Sequence, residues 1–309
     1  MSTTALSAAP GRGLRKAKNN LATVLVYLSF AIALVPLIWL LWTVTSKGFN
    51  AITRNGWFTH SQRNLTYTDA GGGAYHAILG TAEQVALCTV IAVPISLLVA
   101  VYLVEYGRGP VARTATFMVD ILTGIPSIVA ALFIYAVFIG TFHGQRAGWL
   151  VSLALVMLMI PVIVRTTEEM LKLVPNELRE ASYALGVPKW RTILRVVIPT
   201  ALTGIITGVV LGIARVAGET APLLILVGYA PGINTNLFGG AQASLPGMIN
   251  EQTLNYTNHG TYRLVNGKPT LVHNFAIDRL WGAALTLIVI VMGLNLIARL
   301  IGRFSKVTH

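Results

Sequence analysis

Long runs of apolar residues, separated by short basic stretches, limit what this chain can fold into more than any other feature. A stretch of about 20 apolar residues is the length a helix needs to cross a bilayer. Six such stretches occur, at 21–45, 77–104, 114–141, 148–170, 197–229 and 279–301. Composition agrees: 54% of the 309 residues are hydrophobic and 11% charged, whereas a soluble domain carries roughly 25% charge. The expected class is an all-α integral membrane protein with six transmembrane helices, several kinked at Pro36, Pro94, Pro126, Pro161 and Pro222. Neighbouring helices in a bundle can satisfy the carbonyls that a proline frees. No small-residue cleavage site follows the first run, so it is expected to remain as a span.

Basic residues set the expected orientation, because Lys and Arg collect on the cytoplasmic side of short loops. Of the 23 Lys and Arg, fourteen fall on the side holding both termini and the 173–199 loop. Seven fall on the other side, although its segments 46–76 and 230–278 are long. Both termini are therefore expected to be cytoplasmic, as tails 1–20 and 302–309, with 77–301 as the core. Trp42, Trp149 and Trp281 then lie near the outer interface, where indole rings prefer to sit. The two remaining cations, Arg165 and Arg215, lie inside spans.

Several chemistries are excluded by missing patterns. The nearest stretch to a phosphate-binding GxxxxGK[ST] loop, GTYRLVNGKP at 260–269, has the wrong spacing and Pro269 where a magnesium-binding hydroxyl belongs. Neither GxSxG nor HExxH occurs, and the six histidines lack ligand spacing, so no catalytic residue and no metal site is expected. The single Cys88 cannot form an intramolecular disulfide. Gly71–Gly73 reads as a flexible linker, with an anion nest as the alternative.

The loop LVPNELREASYALGVPKWRTILRVVIP, 173–199, is more informative. Pro175 and Asn176 open a short helix, Gly186 stops it in a left-handed position, and Pro188 blocks continuation. The order Glu180-Ala181-Ser182, three residues, Gly186 and then Ile198-Pro199 resembles the EAA loop of ABC-transporter permeases, with Ser182, Val196 and Ile198 as conservative departures. Together with LTGIPSIVAALF at 122–133 and RVAGETAPLL at 215–224, it is similar to the phosphate-specific permease family, whose two branches are PstA and PstC. The short N-terminal region and the wording of the loop favour the PstA branch. The resemblance implies a type I importer permease fold and the bacterial inner membrane. It also implies a PstC-like second permease, two PstB-like subunits that bind Mg-ATP and hydrolyse it, and a PstS-like external phosphate-binding protein. This chain would hold no cofactor, and Glu180, Ala181, Ser182 and Gly186 would couple to the ATPase. A permease for sulfate or molybdate, or the PstC branch, remains the alternative.

Within the fifth span, Gly204, Gly208, Gly212, Arg215 and Glu219 fall in a sector of roughly 80° on one helix. Small residues at this spacing let helices approach closely in lipid, so the stripe is expected to face protein. Arg215 and Glu219 have three competing readings: a mutual i, i+4 salt bridge, a contact to the second permease, or a substrate path. Intramembrane ionisable groups default to function, and a guanidinium fork suits an oxyanion, which favours the path. Glu219 either accepts a hydrogen bond from a protonated phosphate oxygen or holds an arginine in place. Arg165 either snorkels to the headgroups or makes a second, inner contact, with Glu168 and Glu169 expected to be solvated at that boundary. Thr123, Ser127 and Thr220 add hydroxyls to the expected path, although helix packing explains the 123–127 turn equally well. Asp120 is placed to pair with Arg165 or Arg113, and Glu83 reads as an interface residue.

Overall fold

The computed structural model describes residues 12–265, 268–271 and 273–304, so the tails expected at 1–20 and 302–309 lie partly outside it. Among the described residues the fold is helical, as expected, with one short antiparallel hairpin, β1 (Tyr262–Val265) with β2 (Lys268–Leu271), in the 230–278 segment. Residues up to Lys47 and residues from Gly48 form two separate units. The first is a single apolar helix, the greater part of α1 (Arg12–Ile52). Its helical start, at Arg12, lies well before the predicted 21.

The second unit begins with the end of α1. It continues through α2 (Tyr75–Val101, extended as a π-helix to Tyr106), α3 (Gly109–Gly124), α4 (Ser127–Ile134, extended as a π-helix to Thr141) and α5 (Gly148–Lys172). A loop carries α6 (Asn176–Ala184) and α7 (Lys189–Thr192), which runs through a π-helical turn into α8 (Ile198–Ala217). Then come α9 (Ala221–Leu226), α10 (Leu245–His259), the hairpin and α11 (Ala276–Phe304). Five stretches are long and apolar enough to cross a membrane unbroken: 15–52, 75–106, 148–172, 189–217 and 276–300.

The third predicted span, 114–141, is broken: α3 and α4 meet at 107°. Pro126 supplies no backbone N–H, and its ring drives Ile125 out of the helical region to φ −71°, ψ 125°. The broken pair still has to traverse the bundle, because α2 and α5 run parallel. Near their starts, Ser152 donates to the Gln84 carbonyl at 2.9 Å. Further along, Ser96 donates to the Ile160 carbonyl at 3.4 Å. At their ends, Glu105 and α5 are joined through Arg179. Residues 107–147 therefore carry the chain back from one end of the bundle to the other.

The fifth span also differs from expectation, since α8 stops at Ala217 and does not continue to 229. The Pro222 ring would crowd the Gly218 carbonyl of a continuous helix, which disfavours one there. The short α9 restarts after Thr220.

The centre of the unit is α5, whose Leu150, Val151, Ala154, Met159, Ile163 and Val164 are fully buried. On α8, the glycine stripe lies against this helix. A Cβ on Gly204 would come within 2.2 Å of the Met170 sulfur, and one on Gly208 within 2.3 Å of the Thr166 hydroxyl. The stripe faces protein, as its spacing predicts, and the facing element is α5 of the same chain.

Candidate functional site at the helix breaks

A cavity of about 190 Å³ opens where the α3–α4 break meets α5 and the end of α8. Leu122, Ile125, Leu158, Pro161 and Val162 give it apolar walls, and Thr123, Thr166, Arg165 and Arg215 give it polar groups. Thr123 donates to the Val119 carbonyl at 2.9 Å, and Thr166 to the Val162 carbonyl at 2.9 Å. Their protons are thus engaged within their own helices, which leaves the two guanidinium groups as the cavity's other donors.

The two arginines differ in charge balance. Arg165 donates to Glu168 at 2.8 Å and to Asp120 across from α3, and Lys172 donates to Glu168 at 2.6 Å. Two cations and two carboxylates cancel. Arg215 is exposed and has no hydrogen bond or ion pair among the described residues. It is the uncompensated charge in the cavity.

Three predicted path residues do not line this cavity. Ser127 is the half-buried first residue of α4 and Thr220 the exposed residue before α9. Glu219 follows the end of α8, its N–H bonded to the Val216 carbonyl at 3.2 Å. The stripe therefore ends at Arg215: once the helix stops at Ala217, the 100° per residue that would place Glu219 on the same face no longer applies. The i, i+4 salt bridge is absent among the described residues for the same reason. Glu168, expected in solvent, is instead buried between Arg165 and Lys172.

The 173–199 loop is built as its sequence suggests, with α6 over 176–184 and Gly186 at φ +73° with open space around it. Glu180 and Ala181 are exposed, and so are Leu173, Leu178, Tyr183 and Leu185. Ser182 is buried and shares a 2.8 Å hydrogen bond with Thr192, so it ties α6 to α7 and presents nothing outward. Sequence reasoning missed the brace beneath. Arg179 reaches Glu105 at 3.0 Å and the Val174 and Leu171 carbonyls, fixing the loop to the end of α2. Glu105 is an isolated carboxylate 74 residues away, and nothing in its local pattern names its partner.

At the opposite end of the bundle, Gly71–Gly73 is neither a linker nor an anion nest. Its neighbourhood presents carbonyls, which bind a cation: Arg279 donates to the oxygens of Gly71 at 3.0 Å, Thr66 at 2.9 Å and Asp69 at 2.6 Å. Gly73 packs so tightly that a Cβ would meet three carbonyls at 2.5 Å. Hydrogen bonds from the Thr66 hydroxyl and N–H hold the Asp69 carboxyl below the usual carboxylate range. Glu83, read as an interface residue, accepts from Gln242 at 2.6 Å, while the Gln242 carbonyl accepts from Gln84 at 2.8 Å. That pair staples the segment after α9 onto α2.

Residues 92–306 match the family of binding-protein-dependent transport system inner membrane components. The chain belongs to that family. Among its relatives is the phosphate transport system permease protein PstA 1 of Mycobacterium tuberculosis, 51% identical, with 93% of this chain and 89% of the relative covered. PstA of Mycobacterium leprae is 53% identical over 91% and 88%, and PstA of Yersinia pestis 35% identical over 96% and 92%. In fold, the chain is similar to a subunit of a bacterial ABC transporter that imports the polysaccharide alginate, with TM-score 0.63, 13% identity, and 96% of this chain and all of that one covered. A chain of the MetNI methionine ABC transporter in an inward-facing conformation matches with TM-score 0.51 and 18% identity over 74% and 95%. The 173–199 loop and both helix breaks lie within the matched residues.

Proposed function

We infer that this chain is the PstA-type permease subunit of an ATP-driven importer of inorganic phosphate. The observation that carries this reading is Arg215, an unpaired guanidinium in a cavity at two helix breaks, on a chain 51–53% identical to PstA permeases. A planar donor fork binds a tetrahedral oxyanion through paired hydrogen bonds. The surface on which Arg215 is exposed is completed by a PstC-like permease, so the path lies between the two subunits. Glu219 and Thr220, at the second break, and Ser127, at the first, line its continuation outside this chain's own cavity.

ATP hydrolysis belongs to two PstB-like subunits that hold Mg-ATP and seat the exposed face of α6, with Glu180 and Ala181 in the contact and Gly186 setting the turn. A PstS-like protein delivers phosphate to the opposite end, around the 230–278 segment. Both termini are cytoplasmic, in keeping with the excess of basic residues at the loop end. Transport is alternating access, with no covalent chemistry in this chain.

The test is ATP-dependent phosphate uptake in vesicles containing the four-component complex. Arg215→Ala is expected to lower uptake by about 100-fold, the order lost when a charged hydrogen-bonding partner is removed, with the complex still assembled. Uptake at the normal rate would remove Arg215 from the path. Sulfate in excess is expected not to compete, and competition would favour a broader oxyanion permease.

A further inference from the structure

The ion network beside Arg215 contains two carboxylates that differ in how firmly they are held. Glu168 sits on α5, three residues from Arg165 and four before Lys172, and its side chain is 12% exposed and gripped by both. Both ends of the Glu168–Arg165 pair are carried by α5, which keeps them within reach of each other whatever the neighbouring helices do. Asp120 reaches Arg165 from a different element, α3, is 59% exposed, and has no other side-chain partner among the described residues. It lies four residues before Gly124, the last residue of α3 ahead of the bend. Arg165 and Arg215 line one cavity.

The geometry points to Asp120 as an exchangeable stand-in for the substrate anion. Resting on the phosphate path proposed above, Asp120 occupies Arg165 when the cavity is empty, and an oxyanion held by Arg215 displaces it. As the anion moves on, Asp120 returns and expels it from Arg165. An arginine left bare beside Arg215 would bind a doubly charged anion too tightly to release it, and a carboxylate on a neighbouring element removes that trap. Glu168 keeps the Arg165 fork oriented while Asp120 comes and goes. Because Asp120 is carried by the helix that ends at the bend, occupancy of the cavity and the position of α3 are linked. Asp120 is thus a positioning and release residue acting through Arg165.

The experiment uses the complete complex in proteoliposomes, reading ATP-driven phosphate uptake together with its inhibition by phosphate added on the ATP side. In Asp120→Asn, inhibition is expected at about tenfold lower phosphate, with turnover reduced by a similar factor, the effect of about 1.4 kcal/mol of added anion affinity. The phosphate concentration that half-saturates uptake from the far side is expected to stay the same. Asp120→Asn/Arg165→Gln, which removes both ends of the pair, is expected to return the inhibition to within about twofold of wild type. Unchanged inhibition in Asp120→Asn, an unrestored shift in the double variant, or loss of the assembled complex on melting in both variants would overturn the proposal and leave the pair a brace between α3 and α5. If Arg215→Ala transports normally, the path reading itself falls. If only Arg215→Ala is impaired, the exchange alone falls.

Discussion

At the residue scale, the decisive contrast is between arginines that are satisfied and one that is not. Arg279 spends three donors on three carbonyls of the 66–71 loop, a geometry its planar fork suits and a single ammonium cannot reproduce. Arg279→Lys is therefore expected to leave carbonyls unpaired, cost about 2 kcal/mol, and raise protease cleavage and amide exchange in 62–73 while the α5 core stays protected. Arg215 has no such side-chain partner among the described residues. Arg215→Lys keeps the charge but loses the fork, and phosphate uptake is expected to fall roughly tenfold, between wild type and Arg215→Ala. Equal uptake by Lys and Arg would mean that charge alone serves at this position.

At the element scale, what matters is where helices touch and where they stop. The α8–α5 contact depends on bare backbone at Gly204, Gly208 and Gly212. Gly208→Val would drive a branched side chain into Thr166 and the α5 backbone beside it, at an expected cost of about 1–3 kcal/mol from overpacking, read as a lower melting temperature of the purified complex. A glycine with open space around it, such as Gly293, would accept the same change with little effect on packing within the chain. The breaks at Ile125–Pro126 and Gly218–Thr220 work in the opposite sense, ending helices inside the bundle. Interrupted backbone at membrane depth is tolerated where it lines a cavity or is buried in protein, and the 190 Å³ cavity borders the first break.

At the scale of the whole molecule, the basic loop is tied to the ends of α2 and α5 and Arg279 to the 66–71 segment before the start of α2, which gives the basic loop and the hairpin opposite ends. The proposed orientation makes a direct prediction. A cysteine placed at Glu180, with Cys88 replaced, is expected to react with a membrane-impermeant maleimide only from the ATP side, and one placed at Leu271 only from the far side. Reaction of both from one side would mean that the 189–217 stretch does not cross the membrane between them.

Sequence alone determined the class, because runs of about 20 apolar residues have few homes other than a bilayer. It also determined the glycine face of α8 and the left-handed stop at Gly186, since both follow from rules that act within a few residues. It placed Arg165, Arg215 and Thr123 in one region without revealing that they share a cavity. Tertiary structure decided what depends on distant partners: Arg165 with Asp120, Arg179 with Glu105, and Arg279 with the carbonyls of a glycine segment that reads locally as a linker. It also decided where helices end, because a proline alone does not: Pro36, Pro94 and Pro161 lie inside continuous helices, whereas Pro126 sits at a 107° break and Pro222 just after one. A local pattern fixes a face and a period. The pairing of charges across 45 or 74 residues, and of an arginine with a carbonyl across 210, is fixed only when the elements that carry them are brought together.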